Sequence, residues 1–202
     1  LTGVDADISV AGLGSRSVNV STADALESVE AATMVMMSAR YKQFGALIDF
    51  SYFASSPDVE TRGVFFSDAD LDIEEVILNL YATYRLAEGE WGFAEIMGGA
   101  RFFYTDLSLT LSGGPLPRTE IDEDSSSWNG VGGGRLSLNI TPDLFFNVYG
   151  DVGAGDADLT WQAGATIGYR ISELFSVGVG YRAIGLNASE GRLDVETITH
   201  GF

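Results

Sequence analysis

The sequence predicts an all-β chain: an up-and-down antiparallel transmembrane β-barrel of about ten strands (8–12), with residues 1–202 forming a single domain. Three observations carry this expectation. Apolar residues occupy every second position of many segments. In "WQAGATIGYRISELFSVGVGYRAIG", residues 161–185, Trp161, Ala163, Ala165, Ile167 and Tyr169 share one parity, and Phe175, Val177, Val179, Tyr181 and Ala183 resume it after a break. Gln162, Gly164, Thr166, Gly168 and Arg170 fill the other parity, so each segment has one greasy face and one small or polar face. Short connections alternate with longer ones, which places turns at one end of a meander and loops at the other. Aromatic residues gather at both ends of the greasy parity. Tyr41, Tyr84, Tyr169 and Phe175 lie near the short turns, and Tyr52, Phe102, Tyr104 and Trp161 near the loops. Two bilayer interfaces sort aromatics in this way, and a soluble core has no reason to.

In chain order the predicted strands are 1–12, 31–42, 45–54, 71–87, 91–110, 128–140, 144–154, 158–170, 174–186 and 191–202. The short turns centre on "QF", "AEGE", "TPD" and "ISEL" and are assigned to the periplasmic end. The stretches 13–30, 55–70 and 111–127, with "GDA" and "NASE", form the extracellular loops. Within the first of these, "STADALESVE" (21–30) has a Ser/Thr start and an i, i+3, i+4 pattern, and predicts a short helix. One parity holds Val35, Met37, Ile48, Phe50, Leu78, Leu80, Ile96, Phe146 and Val148 and is expected to face lipid. The opposite parity carries the charges.

Composition closes off several functions. The net charge of −18 repels a phosphate backbone, so nucleic acid is excluded as a partner. There is no cysteine, hence no disulfide, thiolate metal site or cysteine nucleophile. No run of about 18 apolar residues encodes a membrane helix. The chain starts at Leu1 and is read as processed or trimmed.

The stretch "DVGAGDADLTWQAGATIGYRISELFSVGVGYRAIGLN" resembles the C-terminal third of a widespread family of uncharacterised outer-membrane β-barrel proteins of Gram-negative bacteria, whose pattern includes "DLTWQ … GYR … GYR". The resemblance covers residues 128–200 well, "RLDVETITHG" included, and the front half more loosely through "ADALESV" and "GALIDFSYF". It implies a barrel fold, an outer-membrane location and contact with outer-membrane lipid and lipopolysaccharide. It implies no activity. Relatives usually carry an aromatic-rich first strand and further strand residues after "THG", so Phe202 is not taken as a terminal assembly signal.

The candidate functional residues are the inward charges. Arg85, Arg101, Arg135, Arg170 and Arg182 face Asp49, Glu75, Glu95, Asp151 and Glu196 in a lumen narrow enough for side chains to fill. Unpaired ions there are costly, so an ion-pair plug is expected, with Arg101, Arg135 and Arg182 pairing Glu95, Asp151 and Glu75 or Glu196. The alternative is a narrow polar pore with the same residues as its constriction. The inward glycines Gly133, Gly164, Gly168, Gly178 and Gly180 are expected to leave water-filled space beside the charges. Asp68, Asp70 and Asp72 alternate, and Glu120, Asp122, Glu123 and Asp124 cluster; these hard oxygens are candidates for calcium or magnesium at the outer loops, although the glycine of a calcium loop is missing. His200, the only histidine, has no nucleophile and base at a diagnostic spacing, so no catalytic residue is assigned and a non-enzymatic barrel is expected. Two other readings stay open: a soluble lipocalin-like barrel holding a small apolar ligand, which needs the aliphatic parity inside, and an outer-membrane lipid-modifying enzyme using His200.

Overall fold

The computed structural model describes the backbone of residues 3–10, 14–20, 29–56, 58–60, 68–112, 119–190 and 193–201, and the side-chain surroundings of 33–56, 72–110 and 121–187. It is an all-β, antiparallel, up-and-down sheet of twelve strands: β1 (Gly3–Val10), β2 (Gly14–Val20), β3 (Val29–Tyr41), β4 (Phe44–Ser55), β5 (Asp58–Glu60), β6 (Asp68–Gly89), β7 (Gly92–Ser112), β8 (Thr119–Asn139), β9 (Leu144–Gly155), β10 (Leu159–Arg170), β11 (Ser176–Glu190) and β12 (Leu193–Gly201). From β6 to β12 each strand pairs with the next, and β1 returns to pair with β12, Gly3 opposite His200. The ladder runs β2-β1-β12-β11-β10-β9-β8-β7-β6-β4-β3, with β5 beside β6. β4 and β11 stand far apart on this path, yet Arg182 of β11 reaches Asp49 of β4 at 2.7 Å. The sheet is therefore rolled around a lumen.

The ten predicted strands are all present, and two more lie in segments read as loops. β2 falls within 13–30 and β5 within 55–70; β8 already begins at Thr119, inside the predicted loop 111–127. The reason is physical. Period-two hydrophobicity reports a strand only where one face is buried or in lipid, and "GSRSVNV" and "TEIDED" have no greasy face of that kind. Of the predicted helix 21–30, residues 21–28 lie outside the described residues and 29–30 open β3. The turns at 42–43, 90–91, 140–143 and 171–175 share one end. At the other end the connections at 156–158 and 191–192 are equally short, so the length contrast rests on 56–67, 113–118 and the overlong β6, β7 and β8.

The two faces of the wall differ in polarity. The greasy parity points out: Ile48, Ile96, Val148, Ile167 and Val179 are exposed, the last by 69 %. The charged parity points in, with Asp49, Arg85, Glu95, Arg101, Asp151 and Arg182 all buried. A lipocalin-like barrel needs the reverse, so that alternative is overturned. The aromatic rings at the two ends are also in place. Phe44 meets Tyr84 edge-on at 5.2 Å near the short turns, and Phe102 packs on Trp128 at 4.9 Å near the loops.

Two inward glycines are filled rather than open. A Cβ on Gly164 would overlap the Tyr149 ring and one on Gly168 the Phe145 ring, so each glycine is the berth for an aromatic of the neighbouring strand β9. The expected water space beside the charges is absent at these two positions. Gly168→Leu should therefore lower stability by about 1–3 kcal/mol, as overpacking does. Denaturant unfolding of the refolded barrel measures this, and Gly132→Ala, whose Cβ meets nothing closer than 3.9 Å, is the control.

Candidate functional site: the charged lumen

Arg101 is the hub, and its surroundings follow from strand parity. β7 turns Arg101 inward, and β6, β9 and β10 turn Asn79, Tyr81, Asp151, Thr160 and Gln162 towards it. Its Nε donates to Asn79 Oδ1 at 2.6 Å and its Nη1 to Thr160 Oγ1 at 3.0 Å. Its Nη2 lies 2.6 Å from Asp151 Oδ1, 3.1 Å from Gln162 Oε1 and 3.2 Å from the Tyr81 hydroxyl. Tyr81 in turn donates to Asp151 Oδ2 at 2.8 Å. Asn79 passes the network to Asp49 at 3.1 Å, and Arg182 holds the same carboxylate at 2.7 Å while also bonding Ser51. Strands β4, β6, β7, β9, β10 and β11 are thus joined across the lumen by one connected set of polar side chains.

Apolar residues sit on both sides of this layer. Towards the loop end are Phe53, Ile77 and Ile184, with Phe103 against them. Towards the turn end are Leu47, Tyr81, Met97, Val131 and Tyr149. Below those, Glu95 accepts from Arg85 at 3.3 Å and from Arg135 at 2.6 Å, and the Phe93 ring lies under the Arg85 guanidinium at 3.6 Å. At the turn-end rim Arg40 pairs with Glu88 at 2.7 Å. That hydrogen bond holds the exposed Glu88 carboxyl below its ordinary range, so the pair contributes above the ordinary carboxylate pKa and is lost as pH falls through the lowered one.

The expected pairings divide as follows. Arg101 takes Asp151 and Arg135 takes Glu95, within the predicted set. Arg182 takes Asp49 rather than Glu75 or Glu196, because Asp49 lies directly across the rolled sheet. The Glu196 side chain lies outside the described residues. Arg170 does not join the plug: it donates to the Pro142 carbonyl and Asn139 at 2.8 Å each and lies over Phe145, bracing the turn between β8 and β9. Tyr81, Ser51, Thr160 and Tyr149 were not singled out as site residues, although parity with Asn79, Asp49, Gln162 and Asp151 carried the signal. Among the described residues, four buried polar atoms lack a hydrogen-bond partner: Asp49 Oδ1, Glu75 Oε1, Asn147 Oδ1 and Arg182 Nε.

A cavity of about 10 Å³ among Met36, Leu47, Asp49, Tyr81, Met97, Arg135, Tyr149 and Gln162 has room for about one water. A larger space of about 220 Å³ lies between Met34 of β3, Tyr149 of β9, Thr166 of β10 and Gly178 to Arg182 of β11.

The candidate cation ligands lie on β6 and β8. Asp68, Asp70, Asp72, Glu120, Asp122, Glu123 and Asp124 all stand on strands, not on loops. Asp72 and Asp122 both register on Ser108, whose hydroxyl donates to Asp122 at 2.7 Å, whereas Glu123 has the opposite parity. Among the described residues no three acidic or histidine groups could hold a metal ion. The calcium or magnesium expectation gains no support. His200 sits in β12 opposite Gly3 and Ala183, neither of them a nucleophile or a base.

Removing one partner of the central pair leaves a buried ion, so Arg101→Leu should cost about 3–5 kcal/mol of unfolding free energy. Arg101→Leu combined with Asp151→Leu should recover part of that loss. Urea titration of the three proteins in one detergent decides it, and equal loss in the single and double variants would mean that the pair is not what the site depends on.

No protein-family model matches the chain, and no curated protein matches it. Among solved structures, the translocator domain of autotransporter NalP from Neisseria meningitidis aligns over 98% of this chain and 84% of that one, with 12% identity and a TM-score of 0.42.

Proposed function

We propose that the chain is a non-enzymatic, integral outer-membrane β-barrel of a Gram-negative bacterium, in contact with outer-membrane lipid and lipopolysaccharide, whose lumen is closed by ion pairs. The observation that carries this is the inverted polarity. Between the two aromatic rings the outward positions of β3, β4, β6, β7, β8, β9, β10 and β11 hold no charged side chain, while arginines and carboxylates fill the interior. A soluble protein cannot leave such a band bare, and lipid covers it. Strand length agrees: β4, β9 and β10 have 12 residues each, and at a tilt of about 40° such strands rise about 30 Å, close to the thickness of a hydrocarbon core.

Closure follows from the network around Arg101. Its guanidinium binds five side chains from three strands, β6, β9 and β10, with apolar collars above and below, which supports a lumen closed to a continuous water column. The reading is of a structural barrel rather than an open pore. Reconstituted in planar bilayers, the wild type should give no steady conductance, and Arg101→Ala with Arg182→Ala should open steps. Steady ohmic conductance of the wild type would contradict the plug, and failure to insert into vesicles would contradict the membrane reading.

A further inference from the structure

β6, β7 and β8 outgrow the barrel. Ser55, the last residue of β4, pairs with Ile73, and Gly155, the last of β9, pairs with Asn129, so the three strands continue past both neighbours as a sheet at the loop end. Its two faces differ sharply. The outward parity carries Asp72, Glu74, Asp106, Asp122 and Asp124. The inward parity, continuous with Ile77, Arg101 and Asn129 below, carries Ile73, Leu107, Leu109 and Ile121, with Glu123 opposite Leu107 and Thr105 and Ser125 beneath. Ile73 stands opposite Leu107, and Leu109 opposite Ile121. Leu107 is 38 % and Ile121 45 % exposed, although this end lies beyond the aromatic ring and so in water. Below this patch the same parity passes through Glu75, Thr105 and Ser125 before it reaches the apolar cluster of Phe53, Ile77, Ile184 and Phe103.

At the foot of that face stands Glu75, between Ile73 and Ile77 on the same parity. Its Oε1 is buried and has no hydrogen-bond partner. Arg182 bonds Asp49 through Nη1 and Ser51 through Nη2, and its Nε, itself without an acceptor, does not bond Glu75 Oε1. A buried carboxylate oxygen without a donor, beneath an apolar wall, matches a ligand with a donating cation at one end and a hydrocarbon chain at the other. The acidic outward face and the net charge of −18 draw cations to this end and repel anions.

We propose that the mouth of the barrel binds a cationic amphiphile, its primary ammonium on the Glu75 carboxylate and its alkyl chain along Ile73, Leu107, Leu109 and Ile121. Four residues of strand separate Glu75 from the Leu109–Ile121 row, about 13 Å, which suits a chain on the order of ten carbons. A primary ammonium can donate to Oε1, a quaternary one cannot, and a neutral alcohol leaves the carboxylate charge unmatched. This site goes beyond the closed-barrel reading and requires only the inward parity of the three strands.

The test is calorimetric titration of the full chain in phosphatidylcholine nanodiscs with decylammonium, against empty discs. Saturable binding of one decylammonium per chain is expected, at least about tenfold weaker for decyltrimethylammonium and for decanol. Glu75→Gln should weaken decylammonium about tenfold, and Leu107→Ser and Ile121→Ser, both at exposed positions, should each weaken it severalfold. The proposal is overturned by the absence of saturable binding, by equal affinity for decanol, or by wild-type affinity in folded Glu75→Gln. Should Glu75→Gln not fold, the two serine variants decide, and unchanged affinity in both overturns the proposal. None of these outcomes depends on whether the lumen conducts.

Discussion

A β-strand cannot choose its two faces independently, and that constraint organises this molecule. Once Arg101 is turned inward, Ala100 and Phe102 on either side of it are turned out. With one parity committed to ion pairs, the other has only lipid to face. The hydrogen-bonded register then propagates the choice from strand to strand: Arg101 opposes Asn79 on β6 and Asn129 on β8, all three of them buried. A one-residue slip of any of these strands would put a guanidinium or carboxylate into hydrocarbon and an aliphatic into the polar network. Register is fixed by the cost of both errors at once.

The network also bears on how the sheet is rolled. Backbone ladders hold neighbours together but say nothing about which distant strands meet. The bonds of Arg182 to Asp49 and of Arg101 to Asp151, Thr160 and Gln162 do, since each crosses the lumen and has a single geometry. Paired charges in a narrow interior contribute modestly to net stability, because desolvation offsets most of their attraction. What they supply is specificity of curvature. The aromatic rings seated on Gly164 and Gly168 act in the same direction, filling the wall's inner surface where a larger residue would push β9 and β10 apart.

How much of this was legible in the sequence depends on where each residue sits relative to the apolar band. Inside the band, alternation located all ten expected strands and the inward parity of Asp49, Arg101, Asp151 and Arg182, because lipid on one side imposes the pattern. Beyond it the pattern vanishes. "TEIDED" reads as loop although it opens β8, since a strand wetted on both faces owes nothing to hydrophobic period. The partner of Arg182 was not readable either, because Asp49 and Glu75 share a parity and only the roll of the sheet brings Asp49 within 2.7 Å. Arg170 illustrates a third limit. Parity put it inside, but its height on β10 puts it at the rim, where the Pro142 carbonyl is the nearer acceptor.

The central claim is the orientation of the greasy parity, and β10 tests it most directly. Nitroxide labels placed one at a time from residue 161 to 170, in vesicles, report oxygen from the bilayer and a water-soluble nickel complex from the aqueous side. The account predicts period-two oxygen accessibility with maxima at 163, 165, 167 and 169 and minima at 162, 164, 166 and 168, and no nickel accessibility at the maxima. Maxima at the even positions, or nickel accessibility at 165 and 167, would contradict it.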